Sequence, residues 1–301
     1  MFASINKKKL VALIMLSILG LFSSCAYALD WQKLHEQADA LTLNQASELI
    51  RQDPEGLETL YLLGLVYLNL HRDNDALAAF EKILNANPEV IAAKWGRAEV
   101  LRRQKKIADS ETLLKEVLKK EARFYPADIT LSYIRHTQLK FGESVSLAYK
   151  VKSAGRENVD LSNYVRALLL IGGGKGMLAH YGGPLAKIFN GTAIYPNLKK
   201  AEELQPDSAA VLFGLGSFYF LAPKIIGGDI AKAEDYLKRA IEKDPLFADA
   251  YARLSQLFRM KGDKEKAADC LQKALAIDPQ NELALDAQSG RCKFICASIK
   301  E

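Results

Sequence analysis

Histidine and cysteine are scarce, four of each in 301 residues. None of His35, His71, His136 and His180 stands at a two-ligand helical spacing from another histidine or a cysteine, and Cys292 and Cys296 have no second pair to complete a zinc site. GxSxG and HExxH are also missing, which removes the commonest signatures of serine and metal-dependent hydrolysis. Gly172-Gly173-Gly174-Lys175 lacks the Ser or Thr after the lysine, and the preceding strand, that a phosphate loop requires. That run reads instead as a hinge or a tight packing turn. No catalytic residue, metal or cofactor is expected.

Excess charge is lacking too. The formal charge of +5 includes Lys7, Lys8 and Lys9, and without them 38 basic residues face 36 acidic ones. So even a balance gives no electrostatic reason for binding nucleic acid. The three lysines belong to a leader. They precede an apolar stretch of 13 residues from Leu10 to Phe22, followed by Ala26-Tyr27-Ala28, the pattern of an export signal over residues 1–28. Thirteen residues rise only ~20 Å as a helix, short of the ~30 Å hydrocarbon core. Ser23-Ser24-Cys25 also resembles a bacterial lipobox, which would leave Cys25 lipidated. Either route predicts an exported, periplasmic chain, soluble or membrane-anchored. Beyond the leader, Cys270, Cys292 and Cys296 would allow one bridge in an oxidising compartment, or stay reduced as small apolar residues.

What the sequence does contain is a period. Pro245 and Pro279 stand 34 residues apart, and Tyr251, Leu254, Ser255, Phe258, Gly262, Ala267, Leu271 and Ala274 between them suit the internal packing of two antiparallel helices. The same mask ending at Pro88 finds Leu60, Leu63, Gly64, Tyr67, Ala76 and Phe80. Small residues are placed to meet across each helix pair: Gly64 with Ala76, Ala98 with Ser110, Gly216 with Ala233, and Ser255 with Ala267. Gly228-Asp229 and Gly262-Asp263 supply a terminating glycine and a capping carboxylate.

These features resemble tetratricopeptide repeats. The resemblance implies an all-α, right-handed superhelical solenoid. An N-terminal helical hairpin is expected over 29–56, two repeats over 57–124, a divergent repeat over 125–158, a repeat with a glycine-rich insertion over 159–206, two repeats over 207–281, and a capping tail over 282–301. It also implies a concave surface lined by the first helix of each repeat, where Tyr61, Leu65, Leu68, Asn69, Trp95, Glu99, Arg102, Arg103, Phe213, Ser217, Phe220, Gln256 and Arg259 would hold a protein or peptide client. Self-association is a further partner class. Insertions in neighbouring repeats should share one edge, so Leu185, Ile188 and Phe189 are expected to pack against Ile225 and Ile226. The main reading is a non-catalytic exported scaffold. The leader and Pro223-Lys224-Ile225-Ile226-Gly227-Gly228-Asp229 are also similar to the periplasmic T-component of TRAP transporters, which would make the chain an accessory to small-molecule uptake with apolar insertions lining a cavity.

The leader yields the first prediction. Exported protein should begin at Leu29, and an intact mass that retains Cys25 with acyl chains would establish the lipoprotein instead.

Overall fold

The computed structural model describes residues 29–291, 293 and 294. The leader, Cys25, Cys292 and Cys296 lie outside the described residues. The described chain is helical throughout, in the order α1 (Trp31–Ala40), α2 (Leu43–Gln52), α3 (Leu57–Asn69), α4 (Asp73–Ala86), α5 (Ile91–Arg103), α6 (Ile107–Lys120), α7 (Tyr125–Thr137), α8 (Phe141–Ala154), α9 (Leu161–Tyr181), α10 (Pro184–Gly191), α11 (Ile194–Leu204), α12 (Ala209–Leu221), a 3₁₀ turn (Lys224–Ile226), α13 (Ile230–Lys243), α14 (Ala248–Met260), α15 (Lys264–Ile277) and α16 (Glu282–Ser289). Helices pack as successive antiparallel hairpins, each also touching the next, as in α3–α4, α5–α6, α7–α8, α12–α13 and α14–α15. Pro88, Pro206, Pro245 and Pro279 each follow the last residue of a helix by two positions, where a ring without an N–H cannot extend it.

Two kinds of helix alternate because two kinds of surface must be covered. In α3, Leu60, Tyr61, Leu62, Gly64, Leu65, Val66 and Leu68 are all buried, the all-round apolar pattern of a helix covered on every side. The second helices bury one stripe only: Ser110, Leu114 and Val117 in α6, Ala233, Leu237 and Ala240 in α13, and Ala267, Cys270 and Ala274 in α15. They form the outside of the solenoid.

Helix contacts turn on small residues. The Ser110 hydroxyl donates to the Ala98 carbonyl at 2.7 Å and that of Ser255 to the Ala267 carbonyl at 2.6 Å. Ser132 makes the same bond to the Ser144 carbonyl at 2.8 Å between α7 and α8, although neither residue falls in a recognisable repeat. At the other two pairs the nearest neighbours are large side chains: a Cβ on Gly64 would meet the Phe80 ring at 2.5 Å, and one on Gly216 would meet Leu237 at 2.8 Å. The same ring fills the space where a Cβ on Gly96 would stand, 2.6 Å away. One fully buried ring is thus gripped between two glycines of consecutive repeats.

The turns inside four hairpins are closed alike, by a left-handed residue at His71 (φ 57°), Lys105 (φ 61°), Leu139 (φ 61°) and Gly262 (φ 82°). At His71, for example, the Arg72 N–H donates to the Tyr67 carbonyl and the His71 N–H to the Leu68 carbonyl, the paired bonds of a Schellman ending. The first three lie 34 residues apart, yet none is glycine. Two of them reach across the solenoid: His71 Nε2 lies 2.9 Å from Asp244 Oδ2 and Lys105 Nζ 3.7 Å from Asp278 Oδ2. Asp244 and Asp278 are themselves 34 residues apart, at the C-caps of α13 and α15. The superhelix therefore closes on itself.

The glycine-rich run is not a hinge or turn. Helix α9 passes straight through Gly172 to Gly176 and ends at Tyr181. A Cβ on Gly172 would strike Leu198 of α11 at 2.9 Å and one on Gly174 would strike Val145 of α8 at 2.5 Å. The glycines cost ~1 kcal/mol each in helix propensity but let α9 approach both neighbours.

Gly64→Ala and Gly96→Ala should each lower stability by ~1–3 kcal/mol through overpacking, although alanine is the better helix former. Together they should cost less than their sum, since both displace the same ring. Urea unfolding followed by circular dichroism measures this, and unchanged midpoints would mean that Phe80 yields freely.

Candidate functional site

The concave side of the first repeats is occupied by α1. Ten residues are too few for a stable isolated helix, so α1 depends on what it touches. Asp30 caps its start, accepting from the Lys33 N–H at 3.1 Å, and Leu34, His35 and Ala38 form its buried face. Trp31 lies 5.2 Å from Phe124 between ring centroids, and His35 lies 5.0 Å from Trp95 and 5.9 Å from Tyr61.

His35 ties this helix to the middle of the chain. Its Nε2 lies 2.9 Å from Tyr61 Oη and its Nδ1 3.1 Å from Asn163 Nδ2. Asn163 Nδ2 also lies 2.8 Å from Asp160 Oδ2. A carboxylate only accepts, so that nitrogen is the donor, His35 Nδ1 accepts, and His35 Nε2–H donates to Tyr61. Burial lowers the His35 pKa, opposed by the nearby Asp160 charge, and burial pushes the Tyr61 phenol well up. Around this centre the Ser162 hydroxyl donates to Asp39 Oδ2 at 2.5 Å, and Arg156 pairs with Glu36 at 3.0 Å.

Beside α1 sits a charged cluster. Glu99 receives Arg102 at 2.6 Å, Arg103 at 3.1 Å and the Thr130 hydroxyl at 3.0 Å. Thr130 in turn accepts from Trp95 Nε1–H at 3.0 Å. Burial alone would raise the Glu99 carboxyl, but the charges of Arg102 and Arg103 and the Arg102 hydrogen bond outweigh it and hold the group far below the usual range. Arg103 continues to the Leu68 carbonyl at 2.8 Å and Asp73 at 3.1 Å.

A cavity of about 20 Å³ opens here, lined by His35, Asp39, Asn69, Glu99, Arg103 and Arg166 among others. Leu65, Leu68, Asn69, Trp95, Glu99 and Arg103 from the expected groove converge on it. All but Asn69 and Arg103 are buried, as is Tyr61 behind His35. Repeat position placed these residues on the concave face, but it could not show that α1 lies over them. Arg166 was missed. It is on α9, in the divergent middle, and among the described residues it has no hydrogen bond or ion pair.

The second half of the expected groove is not brought to this cavity. Phe220 is core, packed with Leu237, Leu254 and Phe258, and Phe213 packs 5.2 Å from Phe247. Ser217 Oγ is buried with no partner among the described residues. Gln256 is buried and accepts from Arg253 at 2.7 Å, while Arg259 is exposed. The chain end covers this face. Asp286 accepts from the Lys293 and Phe294 N–H groups at 2.9 and 3.0 Å, and Phe294 stacks on His136. Cys270 is buried and its thiol is pushed up by that burial. Its bridging depends on Cys292 and Cys296, outside the described residues.

The two insertions do not cover each other. Leu185 is 70% exposed, Ile188 63%, Phe189 73%, Ile225 92% and Ile226 56%. These side chains lie in solvent rather than packed on one another. No group of His, Cys, Asp or Glu among the described residues is arranged to hold a metal.

Fold and groove define a helical-repeat scaffold. The tetratricopeptide repeat family model matches residues 61–128 and 227–282, one stretch in each half of the chain. The chain is 37% identical over 68 residues to the tetratricopeptide repeat and J domain-containing co-chaperone DNJ1 of Cryptococcus neoformans, covering 23% of this chain and 13% of that protein. It is 35% identical over 51 residues to the uncharacterized protein MJ0572 of Methanocaldococcus jannaschii, 17% of this chain and 59% of that one. The chain thus spans only part of both relatives. Among solved structures, the APC/C hetero-tetramer Cut9-Hcn1 is similar at TM-score 0.54 and 17% identity over 85% of this chain and 47% of that one. The human IFIT1 dimer with m7Gppp-AAAA is similar at TM-score 0.56 and 18% identity over 77% and 55%. At such identities the likeness shows the fold.

Two buried histidines set a pH dependence. Burial pulls His136 down to about 4 and lowers His35 from 6.5. The unfolded chain then binds protons that the folded one refuses, so stability should fall as pH drops from about 7 toward 5, by ~1.4 kcal/mol per pH unit per histidine at most. Urea unfolding at pH 7, 6 and 5 measures the slope, which should shrink in His136→Gln. A flat profile for the native chain would mean that both imidazoles protonate without cost.

Proposed function

We propose that the chain is a non-catalytic, exported scaffold in a bacterial envelope that holds a protein or peptide client at the mouth of the α1-lined cavity. Arg166 carries this reading. A guanidinium with no ion-pair partner among the described residues, beside a pocket formed by the first repeats, suits a carboxylate from a client. Bidentate Arg–carboxylate pairing is a strong and directional contact. Arg103 and Glu99 orient the adjoining wall, and Asn69 and Asp39 stand at its rim. The groove also takes a helix: α1 lies against Tyr61, Trp95 and Phe124 much as a helical peptide lies in an apolar groove. The alternative reading, an accessory component of small-molecule uptake, has apolar insertions lining a cavity, whereas these side chains are exposed. The export signal and envelope location rest on the leader sequence.

A photo-crosslinking residue at exposed Asn69, introduced in cells of the source, tests the client site. A crosslinked partner should form with the native chain and be reduced about tenfold by Arg166→Glu. A crosslink of equal strength in the variant would remove Arg166 from the site.

A further inference from the structure

The exposed insertions have a chemistry of their own. From Leu161 to Ala201, and again from Ser208 to Gly228, the chain holds no aspartate or glutamate, although it has 36 in 301 residues. On α10, Leu185, Ile188 and Phe189 follow the i, i+3, i+4 spacing that puts side chains on one face, and that face is uncovered. Ile225 and Ile226 project from the 3₁₀ turn. The two segments share one edge: a Cβ on Gly227 would lie 3.7 Å from Phe218, and Phe218 packs on Tyr195, which follows α10 closely in the chain. Tyr181 and Tyr195 add exposed aromatic rings. Lys187 and Lys224 stand beside the apolar side chains, exposed and without an acidic partner among the described residues. Lys199 and Lys200, farther along, are neutralised by Glu202 and Glu203.

We propose that this edge docks on an anionic phospholipid surface. Exposed aliphatic and aromatic side chains flanked by lysines, with no carboxylate inside either segment, match a headgroup boundary that accepts apolar side chains and attracts cations. Among the described residues no helix is long and apolar enough to cross a membrane, so the contact is peripheral. A second copy fits less well. Two such edges meeting symmetrically would oppose lysine to lysine with no carboxylate between them.

Co-sedimentation of the full chain with vesicles tests this. Three proteins are compared: the native chain, Phe189→Ser with Ile225→Ser, and Lys187→Glu with Lys224→Glu. All share one N-terminus, so differences among them report the edge alone, and the exposed positions leave the thermal melt unchanged. On phosphatidylglycerol–phosphatidylcholine vesicles each variant should bind about tenfold more weakly than the native chain. Native binding should weaken with salt and be poorer on phosphatidylcholine alone. Equal binding by all three, or no binding by the native chain, would overturn the proposal. So would a dimer in the analytical ultracentrifuge that the serine substitutions dissociate, which would assign the edge to a second copy.

Discussion

Everything on the concave side depends on one buried contact, the docking of α1 through His35. This short helix cannot hold itself together, yet it covers Tyr61, Leu65 and Trp95 and joins them to Asp160 and Asn163, more than 120 residues later. The imidazole accepts on one side and donates on the other, so it serves as a neutral connector whose protonation would set a new Nδ1–H donor against the donor amide of Asn163. Removing α1 would expose an aromatic wall and leave the Asp160–Asn163 pair without its third member.

The second constraint is closure. His71–Asp244 and Lys105–Asp278 repeat the 34-residue period on both sides of the solenoid, so the repeat length that stacks the hairpins also aligns the contacts that shut the turn. Half-exposed ion pairs contribute little individually. Their regular spacing matters more, because it fixes the superhelical turn at which the first repeats meet the last. With α1 inside and Phe294 over α14, the interior is reduced to a small polar cavity, and the surface left for larger partners is its rim and the outer edge bearing α10.

Much of the architecture was legible because small residues cannot be placed carelessly. Ser110 against Ala98 and Ser255 against Ala267 are contacts that only close helix axes allow, and Pro88, Pro206, Pro245 and Pro279 each mark the end of a helix. The repeat mask also chose six of the residues that line the cavity. It failed where neighbours come from outside the repeat. Nothing in Trp31–Ala40 says that it lies inside the solenoid, and Arg166 sits in a stretch without the consensus. The left-handed turns at His71, Lys105 and Leu139 carry no glycine to announce them. Gly172 to Gly176 misled in the opposite direction, since local propensity favours a break, whereas packing between α8 and α11 rewards a helix with no side chain there.

Hydrogen exchange of the α1 backbone tests the central claim most directly. If α1 is docked as described, amides of residues 34–40 should be protected to a degree comparable with those of α3 and α5, because opening α1 would mean losing the His35 contacts and uncovering the groove. Exchange of these amides at the rate of an unstructured peptide, with α3 and α5 still protected, would contradict it and return the concave face to solvent.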